Sequence, residues 1–404
     1  MRDKVIEKEI NCELKRQKET INLIASENYV SKSILNAQGS IFTNKYAEGY
    51  YKKRYYAGCK FTDNVEKICI DRACKLFNVS YANVQPYSGS IANLAIYKAL
   101  LNIGDTVLGM SLEAGGHLTH GFQKSFSGSE YKSCFYGVNK NGYIDYDEVL
   151  KIAIKNKPKL IIAGASAYSR KIDFLKFRII ADKVGAYLMA DISHIAGLVA
   201  AGLHQNPCPF ADVVSTTTHK TLRGPRGAVI LSNNEKIMKK INSTIFPFLQ
   251  GGPHIHTIAA KAICFYEAMQ KKFINYQKQI VKNANLMCEE FKKYGYKIVS
   301  GGTDNHLFIV IVKNLGITGL EAEKALEESG ITVNHNIIVG DKNFNETSGI
   351  RIGLSAITTR KIKEKNIRKI VFFIDQVLKN INNKKKKTEI KEQIKKMLKN
   401  SFFY

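Results

Sequence analysis

From about residue 60 to residue 270 the chain alternates two hydrophobic patterns. Val65–Phe77 and Ile91–Leu101 repeat apolar residues at helical spacing, and Gly104 stops the second. Lys159–Gly164, Ala186–Ala190 and Asp212–Thr217 are short apolar runs of strand length, with helical stretches separating the first two. Such alternation predicts an α/β fold with a mostly parallel sheet and helices on both faces. The ends read differently. Residues 1–30 suggest a short helix followed by an irregular arm, Asn22–Asn28. Near 270 a long charged helix begins, Phe273–Lys293. It is followed by strand-like Tyr296–Val299 and Leu307–Val312, a helix near Leu320–Ser329, and Ile331–Val333. That mixture predicts a smaller α+β domain, closed after Lys361 by a basic helical tail. The expected organisation is an N-terminal helix and arm over 1–30, a large domain over 31–270, and a small C-terminal domain over 271–404.

Composition narrows the class. The 404 residues are 45% hydrophobic and 24% charged, enough for a sizeable core and incompatible with wholesale disorder. No run of 18 apolar residues occurs, so no membrane-spanning helix is expected. The first ten residues alternate charged and apolar positions and lack a secretory apolar stretch; their acidic residues argue against a transit peptide. The net charge is +26, but the basic residues are mostly scattered lysines in a chain rich in Asn and Ile. The run Lys384–Lys387 reads as a solvated helix face or turn. Eight cysteines include no Cys-x-x-Cys pair, so no metal site is expected, and reduced thiols fit a cytoplasmic protein.

Three strand-like runs end in reactive groups. The first ends at Ala165-Ser166. The second ends at Asp191, with His194 three residues on, and the third at His219-Lys220. In an open parallel sheet, ligands sit beyond the carboxyl ends of the strands. Tyr87-Ser88-Gly89-Ser90 precedes the helix Ile91–Leu101, where free N–H groups and hydroxyls make an anion site. Gly115-Gly116-His117 offers an imidazole able to stack on a flat ring. Taken singly, these are ordinary caps, turns and surface residues. Taken in order, they fit pyridoxal phosphate, which needs a Schiff-base lysine (Lys220) and an acid opposite its ring nitrogen (Asp191).

Longer stretches then carry a family resemblance. They include Leu23-Ile-Ala-Ser-Glu-Asn28, Thr43-Asn-Lys-Tyr-Ala-Glu-Gly-Tyr50, Lys53-Arg-Tyr-Tyr56 and Gly115-Gly-His-Leu-Thr-His-Gly121. Thr216-Thr-Thr-His-Lys-Thr221, Gly224-Pro-Arg-Gly227, Gln250-Gly-Gly-Pro253, Gly301-Gly-Thr-Asp-Asn-His306 and Ser348-Gly-Ile-Arg351 continue the series. From Leu23 to about Arg360 the chain resembles serine hydroxymethyltransferases. The resemblance implies the type I fold of pyridoxal-phosphate enzymes, related to aspartate aminotransferase, with a large and a small domain. It implies a homodimer with shared active sites and leaves open a tetramer. The implied reaction converts serine and tetrahydrofolate to glycine, methylenetetrahydrofolate and water.

The roles it implies are specific. Lys220 carries the cofactor, Asp191 pairs with the ring nitrogen, and His117 stacks on the ring. Ser166 and His194 approach the ring's phenolic oxygen. Ser88, Gly89 and Ser90 bind phosphate, joined by Tyr46 and Gly252 of a second subunit. Arg351 clamps the amino-acid carboxylate with Ser26 and Tyr56; an Arg fork matches a carboxylate. Glu48 moves protons, His219 shapes reaction specificity, and Arg226 supports Lys220. Leu112, Gly116 and Leu118 match positions lining the folate site.

Some positions depart from the family pattern: Tyr87, Glu113-Ala114, Ser193, Phe248-Leu249, Asn345-Glu346 and Leu354-Ser355. Glu113-Ala114 and Asn345-Glu346 fall near the expected folate site. Two other readings compete. One is a folate-independent aldolase of the same fold, acting on 3-hydroxy amino acids; Tyr46-Ala-Glu48 and Gly116-His-Leu118 count against it. The other is a nucleic-acid-binding protein, which the diffuse charge and the lack of an aromatic RNA-reading motif disfavour.

Overall fold

A computed structural model describes residues 2–341, 346–399 and 401. The chain forms two compact units, Val30–Lys278 and a second assembled from Met1–Tyr29 with Gln279–Tyr404. The second unit begins with helix α1 (Lys4–Glu19), capped by Asp3, whose carboxylate accepts from the N–H groups of Val5 and Ile6.

The unit 30–278 is built on seven strands: β1 (Tyr81–Asn83), β2 (Thr106–Met110), β3 (Lys132–Tyr136), β4 (Leu160–Gly164), β5 (Tyr187–Asp191), β6 (Val213–Thr217) and β7 (Ala228–Ser232). Their order across the sheet is β1-β7-β6-β5-β4-β2-β3. β3, β2, β4, β5 and β6 are mutually parallel, and β7 runs antiparallel to both its neighbours. Strands β4, β6 and β7 are buried at every residue. For β4 this explains a continuous apolar run in place of alternation: a parallel strand covered on both faces has no solvent side.

Helix α2 (Lys60–Phe77) starts five residues before its apolar pattern, because the one apolar residue of its first turn, Phe61, is exposed and out of the buried stripe. Helix α3 (Gly89–Leu100) follows β1, with Ser88 Oγ accepting from Ile91 N–H as its cap. Its Ile96 and Tyr97 pack into a buried cluster with Val107, Ile162, Met189, Val213 and Ile230. Helix α4 (Phe174–Val184) connects β4 to β5 and ends at Gly185 in the left-handed region. Helix α5 (Ile255–Ala268) packs on α2.

The other unit carries an antiparallel sheet, β8 (Lys297–Ile298), β9 (Leu307–Ile311), β10 (Asn334–Asn336) and β11 (Gly349–Gly353), in the order β8-β9-β11-β10. Helices α6 (Gly319–Glu328), α7 (Glu364–Lys379) and α8 (Lys384–Leu398) belong to it. The N-terminal arm is more regular than its sequence suggests: Ile21–Asn22 pairs in parallel with Ile331–Thr332. Buried Arg360 ties the arm down, donating to the carbonyls of Gln17, Lys18 and Thr20 at the C-terminal end of α1. The basic run Lys384–Lys387 forms the first turn of α8, whose Ile390, Ile394 and Leu398 are buried.

Candidate active site

Parallel strands put their carboxyl ends on one edge, and the reactive groups of the unit 30–278 follow from that. β4 leads to Ser166, β5 ends on Asp191, and β6 leads to His219 and Lys220. β1, which shares their direction, leads to the start of α3 at Ser88-Gly89-Ser90.

Asp191 is buried and surrounded by donors. Its Oδ1 accepts from Ser193 N–H (3.0 Å), and its Oδ2 from Asn93 Nδ2 (2.9 Å) and His120 Nε2 (3.2 Å). Burial pushes the carboxyl upward, but the His120 hydrogen bond and the nearby imidazoles outweigh it. Asp191 is held well below the usual carboxylate range. His120 Nδ1 accepts from His117 N–H (3.3 Å), so a neutral imidazole protonated on Nε2 satisfies both bonds. Asn93 spends its other N–H on Thr119 Oγ1 (2.8 Å), and that hydroxyl lies 2.8 Å from His117 Nδ1. One network therefore orients both Asp191 and His117. Neither Asn93 nor His120 was assigned a role from sequence. His120 lay in view inside the quoted Gly115–Gly121 motif; Asn93 was a lone polar residue on an apolar helix face.

The loop bearing His117 owes its place to two glycines. Gly115 has φ +109°, and a Cβ there would meet the Ala167 carbonyl carbon at 2.8 Å. A Cβ on Gly116 would run into the Met110 carbonyl oxygen. The Gly115 carbonyl accepts from Ser166 N–H (2.7 Å) and Ala167 N–H (3.0 Å), which brings the loop beside the end of β4. Leu112 is half-buried and Leu118 exposed on this loop.

Lys220 is buried in a bend that two links bracket. Before it, Thr217 N–H donates to Ser193 Oγ (3.1 Å). After it, Thr221 Oγ1 donates to the His194 carbonyl (2.8 Å) and accepts from Gly197 N–H (3.0 Å). The acid-bearing turn and the lysine-bearing bend are thus held in register. The motif Gly224–Gly227 completes the bend: Gly224 N–H donates to the Thr218 carbonyl (2.7 Å), and Thr218 N–H to the Gly227 carbonyl (3.0 Å). His219 Nδ1 is buried with no hydrogen-bond partner among the described residues. Burial, then the charges of Lys220 and Arg226, push this imidazole down to about 3, so it is neutral. Arg226 is exposed.

Lys261 is a further residue that sequence reasoning passed over. It is fully buried in α5 and donates to the carbonyls of Val84 (2.7 Å), Pro86 (3.0 Å) and Ala228 (2.8 Å). It joins the segment entering the Ser88 turn to the start of β7. Burial lowers its ammonium to about 8. The only sequence signal was one lysine inside an apolar helical stretch.

A second cluster in the same unit lies at the surface. The rings of Tyr46 and Tyr56 are 5.0 Å apart, and Tyr46 Oη donates to Glu48 Oε1 (3.4 Å). A Cβ on Gly252 would meet the Tyr46 ring at 3.0 Å. The backbone beneath is pinned. Arg54 Nη1 donates to the Ala47 (3.1 Å) and Gly49 (2.8 Å) carbonyls on either side of Glu48, and its guanidinium pairs with Asp63 (2.9 Å) and Glu66. Tyr87, one of the departures, donates from Oη to the Gly252 carbonyl (2.6 Å) and stacks on His254 at 4.2 Å.

Ser26 and Arg351 belong to the other unit. Arg351 lies on β11, half-buried, and donates from Nη2 to Asn334 Oδ1 (2.8 Å); burial lowers its guanidinium to about 10. The arm holding Ser26 passes close by, since Gly353 N–H donates to the Leu23 carbonyl (2.7 Å) and a Cβ on Gly353 would collide with Ala25. Of the departures near the expected folate site, Glu113 is exposed and Ala114 buried, while Asn345 lies outside the described residues.

These residues fit pyridoxal phosphate. An acid held ionised by three donors suits a protonated ring nitrogen. A cradle that a Cβ on Gly89 would fill (2.7 Å from Thr217 Cγ2) lies at the start of a twelve-residue helix and suits a phosphate. Fold and site together define a pyridoxal-phosphate enzyme of fold type I. Comparison with known proteins carries this further. The family described as serine hydroxymethyltransferase matches residues 1–374. A curated relative of that name from Metamycoplasma arthritidis is 57% identical over 390 residues, 96% of this chain and 93% of its own length. Relatives from Lactobacillus gasseri and Legionella pneumophila are each 56% identical, over 96% and 97% of this chain and 95% of their own lengths. The chain belongs to the serine hydroxymethyltransferase family. Its chemistry is the interconversion of serine and glycine with tetrahydrofolate as co-substrate and pyridoxal phosphate as cofactor.

Proposed function

We propose a division of labour among the residues of this chain for that reaction. The cofactor, when bound, supplies an electron sink that makes bonds at the amino-acid α-carbon labile. Lys220 holds it covalently, and the N-terminus of α3 with Ser88, Gly89 and Ser90 holds its phosphate. Asp191 keeps a proton on the ring nitrogen, and the donors on the carboxylate keep the acid ionised for that task. His117 stacks on the ring, its orientation set by Thr119. Ser166 and His194 serve the phenolic oxygen. His219, neutral beside Lys220, adds no competing positive charge at the lysine. Arg351 and Ser26, with Tyr56, bind the substrate carboxylate. Glu48 takes or returns the proton of the serine hydroxyl. Leu112, Gly116 and Leu118 line the folate position. The observation that carries this reading is the three-donor setting of buried Asp191, on the same sheet edge as Lys220.

The exposed cluster supports a homodimer with shared sites. Tyr46 is 53% exposed and Phe248 67%, and Ile41, Tyr55, Tyr56 and Phe61 are exposed too. Aromatic side chains clustered at a surface are typical of an interface core, and a second copy would cover them. Among the described residues no helix is long and apolar enough to cross a membrane. The eight cysteines are all free, which supports a cytoplasmic location.

The visible absorption of the purified protein tests the reading. We expect a cofactor band, absent from Lys220→Ala, and a longer-wavelength band that appears with glycine and grows strongly with tetrahydrofolate. A cofactor band indifferent to folate would favour the aldolase reaction instead. A band retained by Lys220→Ala would overturn the assignment of the lysine.

A further inference from the structure

Ser193 follows Asp191 by two residues and is buried. Its N–H donates to Asp191 Oδ1, and its carbonyl accepts from Thr217 Oγ1 (3.4 Å). Its hydroxyl oxygen accepts from Thr217 N–H (3.1 Å). That is an accepted bond, so the hydroxyl's own proton is not used by it. The oxygen lies 4.0 Å from where a Cβ on Gly89 would stand, beside the first residue of α3. Ser88 Oγ is placed in the same way, accepting from Ile91 N–H (3.3 Å) and keeping its own proton.

From this we infer that Ser193 donates its hydroxyl proton to the phosphate group seated at the N-terminus of α3. The inference rests on the proposed phosphate role of Ser88–Ser90. A buried hydroxyl that already accepts one bond, next to an anion, is oriented to donate to it. Donation to a charged acceptor is among the stronger hydrogen bonds. Alanine at this position could not make it. Ser193 thereby joins three parts of the site, touching the acid through its N–H, the lysine strand through its oxygen, and the phosphate through its proton.

The test compares affinities of the cofactor-depleted full-length protein for pyridoxal phosphate and for pyridoxal, which lacks the phosphate. Ser193→Ala should bind pyridoxal phosphate about tenfold more weakly, as expected for loss of one hydrogen bond to a charged group. Pyridoxal binding should be unchanged, and Ser193→Thr should restore the preference. Equal weakening toward both ligands would make Ser193 a structural link only and overturn the inference, as would no weakening at all. If the unaltered protein fails to prefer pyridoxal phosphate over pyridoxal, the phosphate role of Ser88–Ser90 falls first. If it shows the preference, and Ser90→Ala erodes it while Ser193→Ala does not, the Ser193 inference alone falls.

Discussion

The surroundings of Asp191 and the Tyr46–Glu48 turn lie in the same unit and are built by opposite means. Around Asp191 the polar side chains interlock, buried from Ser215 through Asn93 to the carboxylate, and from buried Thr119 to half-buried His117. Around Glu48 the backbone is held by the buried side chain of Arg54, and the carboxylate meets one long hydrogen bond from Tyr46, while the side chains of Tyr46 and Tyr56 stay exposed. One chain completes the first region. In the proposed homodimer the second would present its groups to the other copy. Burial explains the contrast: a buried carboxylate must carry its donors with it, whereas a half-buried one is open to water.

Three experiments test that contrast. The largest effect belongs to Glu48→Gln. It should lower turnover by about 10²–10⁴ if Glu48 is the proton carrier, with no loss of cofactor band. Mixing it with Lys220→Ala chains should restore about a quarter of full activity, because half the dimers are hybrids with one intact site. No restoration would show that each chain completes its own site. The next effect belongs to Asn93→Ala. Losing one hydrogen bond to a buried charge should weaken pyridoxal phosphate binding by roughly 10- to 100-fold, with His117 loosened as well. An unaltered affinity would mean that the network does not govern the acid.

The smallest effect belongs to His219, whose imidazole titrates near 3 in the fold against an ordinary value of 6.5. Between those values the unfolded chain binds a proton that the folded chain refuses. Stability from this residue is therefore present above pH 6.5 and falls as the pH drops through that window, by about 2 kcal/mol at pH 5. Denaturant unfolding at pH 7 and pH 5 should show that His219→Gln loses correspondingly less on acidification. An identical loss in both proteins would mean that His219 is not buried neutral.

Much of this site was legible in the sequence. The strand ends carrying Ser166, Asp191 and Lys220 followed from hydrophobic period alone, because a parallel sheet fixes which end of each strand meets the ligand edge. Ser88 was readable as a cap because side-chain capping is local. The glycine pair at 115–116 was visible as a motif. Its reason, close approach to the Met110 and Ala167 carbonyls, was not.

By itself, then, the sequence determined the α/β class, the order of the chemistry-bearing strand ends and the family to which the chain belongs. These depend on local period, turn chemistry and ordered motifs. Only the tertiary structure decided which polar residues act together. Asn93 meets Asp191 across 98 positions of sequence, Thr217 meets Ser193 across 24, and Lys261 meets Val84 across 177. A hydrogen bond depends on distance and direction in space, and no periodicity along the chain reports either.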